Sequence, residues 1–191
     1  MKKSFLVFGI IATVILILGA LIVPNYNSFI DLEENVDQSY AQIENQLQRR
    51  LDLIPNLVNT VQGYAAHEED VLTEISNARA RLADANSPKE EATANNELSG
   101  ALSRLLVVVE NYPDLKADQQ FSQLMDELSG TENRISVARK DYNERVAEYN
   151  KKVKSFPGVI VANVIGFEEK EYFEADPSAQ QAPKFDFEGK E

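Results

Sequence analysis

Residues 5–23 read FLVFGIIATVILILGALIV, nineteen positions without a charged, Asn or Gln side chain. At about 1.5 Å per residue, such a helix is roughly 28 Å long and matches the ~30 Å hydrocarbon core of a bilayer. Lys2 and Lys3 precede this apolar segment, and acidic residues follow it from Asp31 onward. Because positive residues stay cytoplasmic, we expect residues 1–4 inside the cell and the remaining chain outside, attached to the cell membrane by one span.

A cleaved signal peptide is the alternative interpretation, since such peptides also begin with positive residues before an apolar run. Their apolar cores are about 7–15 residues long, which is shorter than this segment. The best small-residue cleavage site, near Ala20, has Leu18 at its outer position, and the chain has no Cys for lipid attachment. We therefore predict an uncleaved transmembrane helix.

The composition is acidic, with a formal net charge of −12 and an isoelectric point near 4.6. Such a surface repels phosphates, so we expect no nucleic-acid partner. The absence of Cys excludes disulfides and thiolate chemistry. After Tyr172 the composition shifts to Ala, Gln, Asp, Pro and Glu, which predicts a flexible acidic tail at residues 175–191. Residues 25–174 then form one predicted helical domain.

Beyond the apolar segment, apolar residues recur every three or four positions, as in an amphipathic helix. Pro24-Asn25 is expected to end or kink the membrane helix, and Pro55 to kink the next one near Leu51–Ile54. Ser87-Pro88 is the first predicted loop. The stripe of this first soluble helix comprises Val36, Tyr40, Ile43, Leu47, Leu51, Ile54, Leu57, Val61, Tyr64, Val71 and Ile75.

Two further amphipathic helices follow the predicted loop. Asn86 or Ser87 is expected to cap the second helix, with Pro88 at its first position, and Asn111–Asp114 to stop it. Asp118 is expected to cap a third helix that ends at 156–158. Because no strand pattern occurs before residue 157, we predict an all-α fold: a single N-terminal transmembrane helix followed by an antiparallel bundle of long amphipathic helices. In the alternative, the first of these helices, kinked at Pro55, acts as two.

Residues 157–167, PGVIVANVIGF, are apolar but too short to span a bilayer. They predict a strap or short helix over the bundle, or alternatively a surface for a partner. Lys151, Lys152 and Lys154 precede them and complement a helix dipole; contact with anionic lipid is the alternative. Counting three antiparallel helices places residues 156–167 away from the bilayer, unless Pro55 folds the first helix back, and disfavours the lipid contact.

Three motifs are specific enough to suggest a family: QRRLDLIPNLVNTVQGYAAHE at 48–68, VVENYPDLKADQQFSQLMDELSGTENRISVARKDYNERVAEYN at 108–150 and FPGVIVANVIGFEEKEYFEAD at 156–176. They resemble the LemA family of bacterial membrane-anchored helical proteins. The resemblance covers residues 20–176, although Tyr40 stands where members often have Trp. It implies an antiparallel bundle on a transmembrane anchor and a role in the cell envelope or its protein quality control. It brings no catalytic residues.

A polar cluster around Pro55 is the candidate structural or interaction site. Pro55 leaves a backbone carbonyl near Leu51 without its helical donor, and a guanidinium can satisfy a carbonyl or a carboxylate. We expect Arg49 or Arg50 to pair across helices with Glu132 or Glu127 and to fix helix register; a binding site is the alternative. The full cluster comprises Arg49, Arg50, Asp52, Pro55, Asn56, Glu132 and Arg134.

Catalytic chemistry has little support in the sequence. His67 is the only histidine, and the Glu68-Glu69-Asp70 run beside it lacks metal-ligand spacing on a helix. No Gly-x-Ser-x-Gly elbow or Gly-rich phosphate loop occurs, so we expect no catalytic residue, cofactor or metal. Four tyrosines fall at core spacing and predict packing rather than ligand stacking: Tyr40, Tyr64, Tyr142 and Tyr149.

These observations predict a non-catalytic, membrane-anchored scaffold that binds unidentified envelope or membrane proteins, and the family resemblance implies a link to envelope protein quality control. The alternative is a self-assembling membrane-associated module that shapes or stabilises the bilayer. A hydrolase is the third hypothesis and depends on His67.

Overall fold

The computed structural model describes residues 2–174, with the side chains of 2–7, Val14 and Leu18 excepted, and all regular structure in that range is helical. This confirms the predicted all-α fold with an apolar N-terminal helix and a helical bundle. The tail predicted at residues 175–191 lies outside the described range. The helices are α1 (Lys2–Gln62), α2 (Glu69–Asp84), α3 (Pro88–Val109), α4 (Pro113–Lys116), α5 (Gln119–Lys154) and α6 (Gly158–Ile165).

Helix α1 is continuous for 61 residues and passes through both Pro24 and Pro55. The expectation that Pro24 could end the helix is therefore wrong, and at the next position Asn25 donates from its side chain to the Leu21 carbonyl at 2.7 Å. Among the described residues, one helix is long and apolar enough to cross a membrane, and it lies near the N-terminus. Its apolar side chains, such as Phe8 and Leu16, are exposed.

A turn at residues 63–68 separates α1 from α2, so the prediction of one helix up to Ser87-Pro88 is wrong. The Ala65 N–H donates to the Val61 carbonyl at 2.8 Å, and the Glu68 N–H donates to the Ala65 carbonyl at 3.1 Å. The periodicity hides this turn because buried Ile75 on α2 continues the apolar spacing of α1. The apolar pattern reports burial and not chain continuity.

The other helix boundaries agree with the sequence. Ser87 caps α3, because its hydroxyl accepts a hydrogen bond from the Glu90 N–H at 3.2 Å, and Pro88 occupies the first turn. Asp118 caps α5, because its carboxylate accepts from the Phe121 N–H at 2.8 Å. The one-turn helix α4 between them was not predicted.

The chain forms two compact units, and the second unit comprises residues 43–139 and, of the described residues, 171–174. Within it α2 and α3 are antiparallel, since Arg81 pairs with Glu97 at 2.6 Å while Arg104 donates to Glu74 at 2.8 Å. Most residues of the predicted apolar stripes are buried here and form the core, whereas Val71 is half-buried and Tyr64 is exposed. Fully buried members include Ile43, Ile54, Leu57, Ile75, Leu98, Leu105 and Ile135.

The first unit comprises residues up to 42 and residues 140–170. Here α1 and α5 are antiparallel: the Tyr40 ring lies 5.4 Å from Tyr142, and the Phe29 ring lies 6.1 Å from Tyr149. Phe167, which follows α6, stacks on Phe29 at 4.7 Å. Phe29 is only six residues beyond the apolar segment 5–23.

The count of antiparallel helices that separated residues 156–167 from the apolar segment is therefore wrong. The turn at 63–68 adds one reversal of chain direction, so α5 runs back toward the apolar part of α1. Residues 157–167 contain the short helix α6, and one face of this helix is buried through Gly158, Val161 and Ala162. This confirms the predicted short helix and changes its location.

Candidate functional site

Arg50 is the most buried charged side chain described in the second unit, with 2% of its surface exposed. It lies on α1, and its Nη1 donates to the Asn95 side-chain oxygen and to the Glu132 carboxylate. Its Nη2 donates to the Ser99 hydroxyl at 2.9 Å. Asn95 and Ser99 belong to α3 and Glu132 to α5, so one guanidinium joins three helices of the bundle.

Burial lowers the pKa of Arg50, because a charge loses hydration inside the bundle, while the charge of Glu132 and its hydrogen bond act in the opposite direction. Arginine nevertheless stays protonated in proteins. The Arg50 guanidinium is therefore always positively charged, and the Glu132 carboxylate compensates for the hydration that this charge loses on burial. The ion pair stays partly hydrated, since the Glu132 side chain is 38% exposed.

Arg49 forms the second predicted interhelical pair, with Glu127 at 3.2 Å. The two side chains are 53% and 51% exposed, so water competes with this contact. The structure thus forms two of the pairings that the sequence left open between α1 and α5, one buried and one at the surface. That such a pair fixes helix register stays a prediction.

The other residues of the predicted cluster remain apart from Arg50. Asp52 is exposed and accepts a hydrogen bond from the Gln48 side chain at 2.9 Å, within α1. Pro55 and Asn56 are exposed on α1, and Arg134 is exposed on α5. Geometry therefore reduces the cluster to Arg50 and Glu132, with Arg49 beside them.

The carbonyl left without a helical donor by Pro55 is satisfied by a residue that sequence reasoning missed. Arg79, on α2, donates from Nε to the Leu51 carbonyl at 3.0 Å. For Arg49 and Arg50 the sequence left a carbonyl or a carboxylate open, and in the structure both guanidinium groups bind carboxylates. No signal in the α2 pattern distinguishes Arg79 from an exposed basic residue.

Asn95 and Ser99 were also missed, although Asn95 carries a readable signal. It stands three residues before Leu98 and seven before Leu102, on the buried stripe of α3, and is itself fully buried. A polar residue at a core position requires polar partners, and Arg50 supplies one. Two buried nitrogens of this group, Arg50 Nε and Asn95 Nδ2, have no hydrogen-bond partner among the described residues.

A cleft of about 280 Å³ adjoins the cluster. Arg50, Ser99 and Glu132 line its polar side, and Leu106 and Met125 contribute apolar side chains. Arg50 is already engaged by three protein groups, so the cleft offers no uncommitted guanidinium fork.

The only histidine does not form part of a site. His67 is exposed in the turn at 63–68. Within residues 2–174, no three His, Asp or Glu side chains are grouped to hold a metal ion.

The predicted tyrosine core is correct in part. Tyr142 and Tyr149 are 3% and 1% exposed, and Tyr40 contacts Tyr142. Tyr64 instead is 45% exposed and donates its hydroxyl to Asp118 at 2.9 Å. It therefore connects the end of α1 to the start of α5 rather than filling the core.

A second polar group lies in the first unit around Lys170. Its ammonium lies 2.7 Å from Glu33 and 3.7 Å from Asp37 on α1. Its backbone N–H and carbonyl both pair with the Asn150 side chain, at 2.8 and 2.9 Å. Burial works against the charge of Lys170, but Glu33 and Asp37 outweigh it and raise its pKa. Burial, reinforced by Glu33, also raises the pKa of Tyr149.

Fold and cluster together define a class: an all-α protein in which a bundle follows an apolar helix. The chain belongs to the LemA family, whose model matches residues 39–187. It is 26% identical to magnetosome protein MamQ 2 of Paramagnetospirillum magneticum, over 92% of this chain and 73% of that one. It is 26% identical to MamQ of Magnetospirillum gryphiswaldense, over 80% and 66%. It is 27% identical to protein LemA of Metamycoplasma hominis, over 65% and 57%.

Proposed function

We propose that the protein is a non-catalytic, membrane-anchored scaffold of the bacterial cell envelope that binds other envelope or membrane proteins. A link to envelope protein quality control belongs to the same proposal. The observation that carries it is the engagement of Arg50 by Glu132, Asn95 and Ser99. The most elaborate polar group described in the bundle is occupied in joining helices, and this favours a structural role over substrate chemistry.

The continuity of α1 supports a membrane anchor that is joined directly to the bundle. The apolar segment and the first bundle helix are one helix, Lys2–Gln62, so a partner bound to the bundle is held at the membrane. The proposed orientation has the N-terminus in the cytoplasm and the bundle outside, because Lys2 and Lys3 precede the apolar segment. Protease added to intact cells should then digest the bundle, and survival of the bundle would contradict this orientation.

Partner binding is assigned to the exposed apolar part of α3. Leu106 is 47% exposed and lines the cleft beside Arg50, and the next residue, Val107, is 72% exposed. Exposed apolar side chains that adjoin a cleft are typical of protein contact sites.

Photo-crosslinking in living cells tests this assignment. A photoreactive residue replaces Val107 in one variant and Thr93, an exposed polar residue about 21 Å away along the same helix, in the control. We expect one envelope protein to be recovered reproducibly from the Val107 variant and not from the control. Crosslinks joining two copies would favour the self-assembling module instead, and no crosslink at either position would contradict the scaffold.

A further inference from the structure

We propose that α6 is a second membrane contact, an interfacial helix whose exposed apolar face enters the same bilayer that the apolar part of α1 crosses. The occupant of this face is lipid, at the boundary between headgroups and acyl chains. The inference rests on the membrane anchor of the proposed function, but it requires no protein partner.

The residues that lead into α6 and the helix itself expose apolar side chains on one face. Phe156, Ile160 and Val164 recur every four residues and are 79%, 55% and 77% exposed. The opposite face, through Val161 and Ala162, is buried. Both faces of this short helix are therefore apolar, and one of them is exposed. An interfacial helix buries such a face about 5–10 Å into the headgroup region.

Within the first unit, α6 lies close to the part of α1 that follows the apolar segment. Phe167, two residues after α6, stacks on Phe29 and also lies 6.0 Å from the Tyr26 ring. Val23, the last residue of the apolar segment, is six residues from Phe29, or about 9 Å along a helix axis. Lys154 is five residues beyond Tyr149 on α5, or about 7.5 Å in the same direction. The end of α5 is therefore close to the level of the end of the apolar segment, and Gly158, which lies against the Lys152 backbone, starts α6 within about one helical turn of that level.

Two glycines and the hydrogen bonds of the segment after α6 fix the position of this helix. A Cβ on Gly158 would lie 2.4 Å from the Lys152 carbonyl oxygen, so only glycine lets α6 begin so close to α5. Gly166 ends the helix with φ 95°, a left-handed conformation that glycine adopts without strain. The following segment is then fixed by the bonds between Lys170 and Asn150.

The surface next to the start of α6 is locally basic. Lys151, Lys152 and Lys154 lie in the last turn of α5, a local basic group on a chain of net charge −12. Glu169 pairs with Lys154 at 2.7 Å and reduces the positive charge. Apolar insertion therefore carries the contact, and the lysines only remove the repulsion that an acidic surface would meet at phosphate headgroups.

A single-tryptophan experiment tests the proposal, because the natural chain has no Trp. Phe156→Trp and Val164→Trp report on α6, and Val107→Trp, at an equally exposed position of α3, is the control. Each full-length variant is reconstituted into phosphatidylcholine vesicles with and without lipids brominated on their acyl chains, and circular dichroism checks that the helices are retained.

Brominated lipid should cause at least about a twofold loss of emission from both α6 reporters, as expected for residues at interfacial depth, and leave the control unchanged. Equal emission with and without bromine at the α6 positions would overturn the proposal. Emission that shifts to the blue with rising protein-to-lipid ratio, without bromine quenching, would also overturn it and identify a second copy of the chain as the occupant.

Discussion

The Nε of Arg79 lies 3.0 Å from the backbone carbonyl oxygen of Leu51, the residue four positions before Pro55. Proline has no N–H, so this carbonyl lacks the donor that a helix normally provides. Arg79 supplies that donor from α2, and α1 continues through Pro55 to Gln62. A break in the hydrogen bonding of one helix thus becomes an attachment point for its neighbour.

Replacing Arg79 with Met should destabilise the bundle by roughly 1–3 kcal/mol, because the buried Leu51 carbonyl loses its donor. The measurement is the free energy of unfolding in urea with the full chain in detergent. Arg81→Met is the matched control on the same helix. Arg81 and Glu97 are 57% and 44% exposed, so their loss should cost less than about 1 kcal/mol.

Adding Pro55→Ala tests the mechanism, since an alanine at this position restores an N–H to the Leu51 carbonyl. In that background Arg79→Met should be less costly by about 1 kcal/mol. Equal costs of Arg79→Met in the natural chain and in the Pro55→Ala variant would show that the guanidinium does not compensate for the proline.

Arg50→Met should destabilise the bundle far more than Arg49→Met. Losing Arg50 leaves buried Asn95 unpaired and Glu132 without its cation, at a cost of roughly 2–4 kcal/mol. The value stays below that of a fully buried pair because Glu132 keeps contact with water. Arg49→Met should cost less than about 1 kcal/mol. Similar unfolding free energies for the two variants would contradict a register role for Arg50.

Ser87→Ala should lower stability by about 1 kcal/mol, because the hydroxyl that caps α3 is lost and the Glu90 N–H is left to water. Ser87→Asn retains a capping oxygen and should restore most of the loss. Thermal unfolding followed by circular dichroism measures both variants. A loss with Asn as large as that with Ala would rule out capping as the cause.

Lys170 should make the first unit sensitive to alkaline pH. The pKa of Lys170 is raised in the folded state, where Glu33 and Asp37 outweigh the effect of burial. Its stabilising contribution is therefore complete below the unfolded pKa of about 10.4 and is lost as the pH rises through the higher folded value. Urea unfolding between neutral and strongly alkaline pH measures this loss.

Lys170→Met should unfold more easily at neutral pH and show a shallower alkaline decline, so that the two curves converge. Lys140→Met is the control, because Lys140 forms only an exposed pair with Glu144 at 3.8 Å. It should retain the full alkaline decline. Parallel curves for Lys170→Met and the natural chain would refute the assignment.

The sequence predicts much of the fold because its signals are local. Apolar spacing identified the buried stripe of α1, and cap residues identified the starts of α3 and α5 at Ser87 and Asp118. The turn at 63–68 was missed because Ile75 keeps the apolar rhythm across it. Without this turn, the expected direction of α5 was reversed, and α6 was expected far from the apolar segment of α1 instead of near it.

The candidate site was less predictable because its contacts are tertiary. Charge and proximity to Pro55 suggested Arg50 and Glu132, which the structure joins. The same criteria suggested Asp52 and Arg134, which remain exposed, since residues on one helix differ in the direction they face. Arg79 could not be chosen from the sequence, because its role depends on how α2 packs against α1.

The account depends on an uncleaved apolar helix that joins the bundle to the membrane. Intact-mass measurement of the natural protein from carbonate-washed membranes tests this most directly. The account predicts the full 21.4 kDa chain in the membrane fraction, with residues 5–23 retained. A shorter chain, cut near Ala20 and recovered in the soluble fraction, would contradict it.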